Sequence, residues 1–447
     1  MQIKRENVSL INKNHMPIPW HSFAGENDST PVREASLIEK STVVGRVGFM
    51  LLSCGTGAWR VRSSMNAVAR ELGITCAADI GLVSIEFTCI DGGESYTQVL
   101  TLTNTGVNTS KLARIETFVS DFPQKYCHLS VDEIHQKLDE QDKVKDSYRP
   151  VSLGLAAGFA CSAFTLLLGG GPIEMFCAFF GAFVGNWLRV LLIRRRFTLV
   201  LHVAVSVAVA CLVYSGLFEI LVLTAGVSMQ HEAGYICSML FIIPGFPFIT
   251  SGIDLAKLDM RSGLERLFYA FWIIMVATLV AWIMALALKL RPMDFIPLGL
   301  SSLELLLFRA AASFSGVFGF SIMFNSHYKM AATAGVIGAV VNTLRLELID
   351  LFAIPPAASA FVCVFLAGIM ASLLKPSSGY PRISITVPSI VIMVPGLYLY
   401  KAIYNLGTGV ITDAAHWFTE AILIMIALPL GLIFARIFTD KEFRYSI

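Results

Sequence analysis

The stretches GYICSMLFIIPGFPFITSG, at residues 234–252, and ISITVPSIVIMVPGLYLY, at residues 383–400, decide the fold. Each is an apolar run of the length that crosses a bilayer, about 20 helical residues for a hydrocarbon layer of about 30 Å. Each also contains a Pro-Gly pair, Pro244-Gly245 or Pro395-Gly396. Proline removes a backbone N–H and clashes with the preceding turn, so we predict that both helices are kinked or broken within the membrane. The alternative is a packing kink without further function, because Pro and Gly are common in membrane helices.

The composition of the whole chain is typical of a polytopic membrane protein. Its 447 residues are 55% hydrophobic and 15% charged, and the mean hydropathy is +0.68. A soluble protein is less apolar and more charged. The net charge of +2 gives no indication of nucleic-acid binding. We predict ten transmembrane helices near residues 151–170, 173–193, 198–218, 235–253, 267–288, 303–324, 330–350, 357–374, 383–401 and 415–436.

The polar N-terminal part is predicted to form a separate cytoplasmic α+β domain over residues 34–149, after a loosely ordered segment, residues 1–33. Helical spacing occurs in residues 35–54 and 58–73, and β-branched runs around the turn DGGE (91–94) indicate a hairpin. Two more polar helices are expected near residues 109–122 and 130–142. No defensible catalytic constellation occurs here, so we expect a regulatory, gating or assembly role.

The membrane part contains an internal repeat. AAGF (156–159) recurs as AASF (311–314), NWLR (186–189) as NTLR (342–345), and IPGF (243–246) as VPGL (394–397), at offsets of 155, 156 and 151 residues. A unit of five spans places its second copy in the opposite orientation. We therefore predict two inverted five-helix repeats, residues 150–293 and 294–447. Inverted repeats are frequent in secondary transporters, whose sites lie near the midplane between the repeats.

The loop charges predict the orientation. With a cytoplasmic N-terminus, twelve Lys and Arg residues of the membrane part fall on the cytoplasmic side and three on the other, as the positive-inside rule requires. The first 30 residues lack the apolar core of a cleaved signal peptide. We expect a multi-pass inner-membrane protein with both termini in the cytoplasm.

Polar residues inside the apolar runs are candidates for substrate binding. Asn186 and Asn342 occupy equivalent repeat positions, each followed three residues later by an arginine, Arg189 or Arg345. A buried amide or guanidinium requires partners. We predict that these four residues and the two Pro-Gly pairs contact the substrate. For Arg189 the alternative is snorkelling to the cytoplasmic interface.

Other charged residues are candidates for gating or proton coupling. Asp254, Asp259 and Arg266 follow the first Pro-Gly pair and could form a cytoplasmic gate, with solvated surface ion pairs as the alternative. Glu174, Glu347 and Glu420 could carry protons, because burial raises the pKa of a carboxyl group towards neutral pH. Interfacial positions or internal ion pairs are the alternative.

Several chemical classes lack support. The sequence has no phosphate-binding G-x-x-x-x-G-K-[ST] motif, no G-x-S-x-G or H-E-x-x-H motif and no Cys/His metal cluster. We therefore expect no cofactor, no metal and no enzymatic activity. Transport would draw its energy from an ion gradient.

Five stretches resemble the threonine/serine exporter family over about residues 37–437: SCGTGAWRVRSSMNAVARELGI (53–74), LLLGGGP (166–172), IIPGFPFITSGIDLAKLDMRSGLER (242–266), GFSIMFN (319–325) and PRISITVPSIVIMVPGLYLYKAIY (381–404). The resemblance implies a cytoplasmic domain fused to ten membrane helices. It also implies export of threonine and serine driven by the proton motive force. A related split form, made of two shorter chains, exports dicarboxylates such as succinate.

The family pattern also falls on particular residues of this chain. They are Gly55, Arg60, Met65, Leu72, Gly73, Pro244, Gly245, Asp254, Asp259, Ser262, Gly263, Arg266, Asn325, Pro395 and Gly396. We expect a small amino acid as substrate, with protons and the lipid bilayer as partners and a homo-oligomer as a possible assembly. A dicarboxylate exporter and a membrane enzyme or sensor are the alternatives.

Overall fold

The structure is a computed structural model that describes residues 17–23, 30–144, 148–292 and 294–445. The described residues divide into two compact units, one within residues 1–107 and 114–145 and one within residues 108–113 and 146–447. Most of the segment predicted to be loosely ordered, residues 1–33, lies outside the described residues. The predicted domain boundaries stay predictions.

The N-terminal unit contains the predicted helices and hairpin. Its three strands form an antiparallel sheet in the order β1-β2-β3. Gly92 and Gly93 join β2 to β3 with φ angles of +54° and +100°, which glycine adopts at low cost. The elements along residues 30–144 are α1 (Leu37–Ser53), α2 (Ala58–Glu71), β1 (Thr75–Ile80), β2 (Ser84–Asp91), β3 (Glu94–Thr101), α3 (Thr109–Lys125) and α4 (Val131–Lys143).

The sequence interpretation missed strand β1. Its residues TCAADI include two alanines and an aspartate, which are uncommon in strands. The strand pairs along its whole length with β2, from Thr75 opposite Ile90 to Ile80 opposite Ile85. Tertiary pairing with a strongly β-forming neighbour therefore overrides a weak local preference.

The second unit is helical. After the start of α3 it contains α5 (Pro150–Leu167), α6 (Pro172–Arg194), α7 (Leu199–Ala225), a 3-10 segment (Met229–Ile242), α8 (Gly245–Ala256), α9 (Met260–Leu288), α10 (Ser302–Met323), α11 (Tyr328–Phe352), α12 (Pro356–Ser378), α13 (Arg382–Ile390), a 3-10 turn (Val391–Met393), α14 (Gly396–Gly407), α15 (Ile411–Thr439) and α16 (Lys441–Arg444).

The membrane-spanning capacity of these helices makes the chain a polytopic membrane protein. In the part of the chain that the structure describes, seven helices are long and apolar enough to cross a membrane, or up to nine if each of two bent helix pairs forms one span. The seven are α5, α6, α7, α9, α10, α12 and α15. The remaining predicted span coincides with α11, which is not among them. The count of ten stays a prediction.

Small residues bring the leading helices of the two predicted repeats close together. A Cβ at Gly154 of α5 would lie 2.8 Å from the Phe183 carbonyl oxygen of α6, and one at Gly335 of α11 would lie 2.9 Å from the Phe314 ring of α10. A Cβ at Gly319 of α10 would lie 2.6 Å from the Ala156 carbonyl oxygen of α5. Such close backbone approach is typical of packing between membrane helices.

Candidate functional site

Both Pro-Gly pairs interrupt a helix, as the sequence predicts. The segments Ala233–Ile242 and Gly245–Ala256 meet at an angle of 57°, and Arg382–Met393 and Gly396–Gly407 meet at 41°. Each glycine is the first residue of the second helix, α8 or α14. Two helix N-termini are therefore located within otherwise apolar segments.

The two breaks have the same backbone conformation. Pro244 has φ −83° and ψ 58°, and Pro395 has φ −80° and ψ 55°. The Gly245 N–H donates to the Ile243 carbonyl at 2.9 Å, and the Gly396 N–H donates to the Val394 carbonyl at 2.8 Å. This pattern is an inverse γ-turn centred on each proline.

The two breaks also lie against each other. A Cβ at Gly245 would lie 2.4 Å from Val391 Cγ2, which belongs to the second interrupted segment. A Cβ at Gly396 would lie 1.8 Å from Ile243 Cδ1, which belongs to the first. Each glycine thus makes room for the side chain that precedes the other break, and a larger residue at either position would force the segments apart.

A serine before each break repeats the correspondence at the offset of 151 residues. Ser238 Oγ donates to the Tyr235 carbonyl at 2.6 Å, and Ser389 Oγ donates to the Thr386 carbonyl at 2.7 Å. A glycine packs against each of these serines. A Cβ at Gly181 of α6 would lie 2.8 Å from Ser238 Cβ, and a Cβ at Gly338 of α11 would lie 3.0 Å from the Ser389 carbonyl oxygen. These contacts favour a structural duplication.

The two predicted asparagines bond to neighbouring helices. Asn186 Nδ2 donates to the Leu153 carbonyl of α5 at 2.8 Å, and Asn342 Nδ2 donates to Ser313 Oγ of α10 at 2.8 Å. Both asparagines are buried. In this conformation each amide holds the second helix of its half to the first. Their predicted contact with substrate stays a prediction.

The two predicted arginines have different surroundings. Arg345 Nε donates to Asn342 Oδ1 at 3.1 Å, so the asparagine and the arginine of the second Asn-x-x-Arg motif bond to each other. Arg189 Nε is buried and has no hydrogen-bond partner among the described residues. Its neighbours include the titratable side chains of His202 and Tyr269. The repeated motif therefore supplies one arginine whose Nε is bonded to the preceding asparagine and one whose Nε is not.

The residues after the first break form a buried ion pair. Asp254 Oδ2 lies 3.3 Å from Arg266 Nε, and the two side chains are 1% and 2% exposed. Ser262 Oγ donates to Asp254 at 2.9 Å and accepts from Arg266 at 3.0 Å. Asp259, also buried, directly precedes α9. This arrangement links the end of α8 to α9 and differs from the solvated surface pairs that were the alternative.

The three predicted glutamates lie in separate places. Glu174 is 1% exposed, accepts from the Gly171 N–H at 3.0 Å and lies 2.6 Å from His231 Nδ1. Glu347 pairs with Arg309 of α10 at 2.8 Å. This ion pair crosses the interface between α11 and α10. Glu420 lies in α15, near Tyr398.

A cavity of about 390 Å³ opens beside the second break. Its walls come from the end of α5, the first interrupted segment, the connection between α9 and α10, and the first turns of α14. The described lining residues are Leu168, Gly169, Ala233, Ile236, Asp294, Phe295, Pro297, Leu298, Gly299, Leu300, Leu305, Leu397 and Lys401. The volume is near the lower end of the range of about 300–1,000 Å³ for small-molecule sites. None of the predicted site residues lines it.

In the N-terminal unit, polar side chains connect neighbouring helices and strands. Arg60 pairs with Glu116, and Arg62 Nε donates to the Ala78 carbonyl at 3.0 Å. Burial next to Arg46 lowers the pKa of His135 from 6.5 to about 3. Within residues 17–23, 30–144, 148–292 and 294–445, no group of three or more His, Cys, Asp and Glu side chains could hold a metal ion.

Comparison with known families assigns the chain. A family model described as a threonine/serine exporter matches residues 42–289, and a second, described as "Threonine/Serine exporter, ThrE", matches residues 309–438. The first match alone covers more than half of the chain. The chain belongs to the threonine/serine exporter family. As a member of an exporter family, the protein is a transporter and not an enzyme.

Two curated relatives of this exporter carry the name "Probable succinate transporter subunit YjjP". The protein of Klebsiella aerogenes is 24% identical over 246 residues, which is 53% of this chain and 89% of the relative. The protein of Escherichia coli K12 is 23% identical over 249 residues, which is 54% of this chain and 91% of the relative. No solved structure matches the exporter significantly.

Three polar contacts of this exporter were not predicted. They are the hydrogen bond of 2.5 Å between the hydroxyl groups of Tyr235 and Tyr400, the contact of His231 with Glu174, and the ion pair of Lys401 with Asp294. In each case the two residues are more than 50 positions apart. The only local signal was a polar or aromatic residue close to a Pro-Gly pair or at the end of a span.

Proposed function

We propose that this protein is a secondary exporter that moves threonine, serine or a similar small amino acid out of the cytoplasm, driven by the proton motive force. The membership of the exporter family supports this class of substrate. The proposed location is the inner membrane, with both termini in the cytoplasm. The proposed cycle alternates access to one site between two inverted five-helix repeats.

The observation that carries the proposal is the reciprocal packing of two interrupted helices. Pro244 and Pro395 adopt the same inverse γ-turn, and each following glycine packs on the other segment. An N-terminal helix end carries free N–H groups and a partial positive charge. The N–H groups of Gly245 and Gly396 are used in the turns, and Pro247 has none. The N–H groups suited to bind the carboxylate of an amino acid are therefore those of Phe246 in α8 and of Leu397 and Tyr398 in α14.

The proposed gate on the other side of the site is the buried pair of Asp254 and Arg266. Separation of two buried charges requires new partners, which water or substrate supplies when a passage opens. Glu174 is the strongest of the three candidates for proton coupling, because it is buried and contacts a second titratable side chain, that of His231. The N-terminal unit is proposed to regulate this cycle or its assembly, with a homo-oligomer as one possible form.

A second candidate function is export of a dicarboxylate. The names of the two curated relatives favour it, since both refer to a succinate transporter subunit. A dianion requires two cationic partners. Neither Arg189 nor Arg345 lines the cavity beside the second break, where Lys401 is the only cation among the described lining residues. The cavity in this conformation is thus better matched to a single carboxylate.

Flux measurements on reconstituted vesicles test the proposal. The purified full-length chain is incorporated into vesicles, a pH gradient is imposed, and the movement of labelled threonine, serine and succinate is followed with and without a protonophore. We expect threonine and serine flux that depends on the gradient and is abolished by the protonophore. Gradient-dependent flux of succinate alone would replace the first candidate by the second. Absence of flux for all three compounds would refute both.

A further inference from the structure

The cavity beside the second break contains a cation and an anion with very different exposure. Lys401 Nζ lies 3.0 Å from Asp294 Oδ1. The lysine side chain is only 13% exposed, whereas the aspartate side chain is 93% exposed. The ammonium group also lies 4.6 Å from the centre of the Trp417 ring, a favourable cation–π distance. Lys401 is thus enclosed in the cavity wall, and Asp294 contacts it from the connection between α9 and α10.

This difference in exposure makes Asp294 a partner that can be exchanged. An exposed carboxylate remains solvated when it leaves its partner, so its departure costs little. An enclosed ammonium that loses its anion is left without compensation in a poorly solvated place. The lysine therefore favours having an anion beside it at all times, and the structure shows one that can withdraw.

We propose that Lys401 binds the carboxylate of the transported molecule in this cavity, and that Asp294 is a built-in competitor that occupies the same position when the cavity is empty. This inference rests on the proposed function for the identity of the ligand. The ligand chemistry is a carboxylate on a small molecule, whether an amino acid or a dicarboxylic acid. Exchange of one anion for another keeps Lys401 paired throughout.

The position of Lys401 supports this assignment. It follows the Gly396 helix start by five residues in α14, and Leu397 from the first turn of the same helix also lines the cavity. A carboxylate released from the helix start would therefore meet Lys401 about one turn away. The other described lining residues apart from Asp294 are uncharged, so this lysine provides the attraction for an anion.

The competition predicts opposite effects for the two partners. Loss of the charge in Lys401→Gln removes the anchor and should raise the Kd for carboxylate about tenfold or more. Loss of the charge in Asp294→Asn removes the competitor and should lower the same Kd about threefold to tenfold. An ion pair that is only structural would give changes in the same direction for both variants. Lys401→Arg keeps a positive charge that can stack on the Trp417 ring, so its Kd should rise less than that of Lys401→Gln.

Equilibrium binding to the purified full-length chain provides the test. Labelled threonine and labelled succinate identify which carboxylate binds, and threonine amide, which lacks the carboxylate, serves as the comparison ligand. We expect opposite Kd shifts for the carboxylate and no difference among the variants for the amide. Equal shifts in both variants, an unchanged Kd in Lys401→Gln, or no carboxylate binding by the wild type would each overturn the inference.

This experiment separates the inference from the proposed function. Opposite Kd shifts without gradient-driven flux in vesicles would reject the exporter proposal and keep the carboxylate site. Gradient-driven flux with no Kd shift would keep the exporter and reject the site. Thermal unfolding of each variant, measured in parallel, identifies a protein that has failed to fold. In that event Lys401→Arg and Asp294→Asn still give the comparison, with only the latter expected to bind more tightly.

Discussion

Substitution of Gly396 by alanine tests the contact between the two interrupted helices. The new Cβ would lie 1.8 Å from Ile243 Cδ1 and 3.3 Å from Leu240 Cδ2. Carbon atoms in contact are about 3.5–4.0 Å apart, so the isoleucine must change rotamer or the segments must separate. Overpacking of this kind costs about 1–3 kcal/mol. We expect Gly396→Ala to lower the thermal unfolding temperature of the purified chain and to reduce flux in vesicles.

A second substitution makes this prediction specific. Ile243→Val removes the Cδ1 atom and alone should cost about 0.5–1.5 kcal/mol. Combined with Gly396→Ala it should restore part of the lost stability, because the contact at 1.8 Å is removed while Ile243 Cγ1, which valine keeps, would still lie 3.0 Å from the new Cβ. The double-mutant cycle should therefore give a favourable coupling energy. Gly216→Ala in α7 is the matched control, because no atom lies within 4 Å of its added Cβ. Additive effects of the two substitutions, or a Gly396→Ala variant as stable as the control, would refute the proposed contact between the two breaks.

Two further stability predictions concern buried ionisable groups. Asp254→Asn removes the charge that faces the buried Arg266, so we expect a loss of about 3–5 kcal/mol in thermal unfolding, and a smaller loss for the double variant Asp254→Leu/Arg266→Met. Equal losses of stability in the single and the double variant would contradict this expectation. Because the folded-state pKa of His135 is lowered from 6.5 to about 3, its neutral form is favoured by folding, and stability present above pH 6.5 should fall as the pH is lowered towards 3. The loss reaches about 1.4 kcal/mol per pH unit. Hydrogen exchange in α4 of the full chain, corrected for intrinsic rates, should show this slope. His135→Gln should abolish the part of the slope that lies above the ordinary pKa range of carboxyl groups, since Asp132 and Asp139 contribute only below it.

The sequence predicted the helices of the membrane part well because their signal is local. An apolar run of the required length between polar loops has few alternatives to a helix. The two breaks could also be predicted from the sequence, since Pro244 and Pro395 cannot continue the hydrogen bonds of a helix. The strand Thr75–Ile80 was missed because its residues gain their conformation from pairing with β2.

The partners of the charged residues could not be predicted, because they depend on how helices pack. Glu347 lies two positions from Arg345 in sequence but bonds to Arg309 of another helix. Successive positions on a helix point in different directions, so proximity along the chain did not give the pair. Lys401 and Asp294 are 107 positions apart, and only the packing of α14 near the connection between α9 and α10 brings them together.

The two faces of the proposed site differ in a way that bears on its resting state. The offset of 151 residues between Pro244 and Pro395 relates Arg266 to Trp417. On one face Arg266 forms a buried ion pair. On the other face Lys401 lies over the Trp417 ring and pairs with Asp294, which is almost fully exposed. A buried pair costs about 3–5 kcal/mol to break by removal of one partner. The pair at Lys401 should cost less to open, because Asp294 stays solvated when it withdraws and water or substrate can then take its place. Without substrate, the proposed cycle should therefore favour the state that is closed at Asp254 and accessible at Lys401. This preference sets only the populations of the two states, because the direction of net transport follows from the gradient.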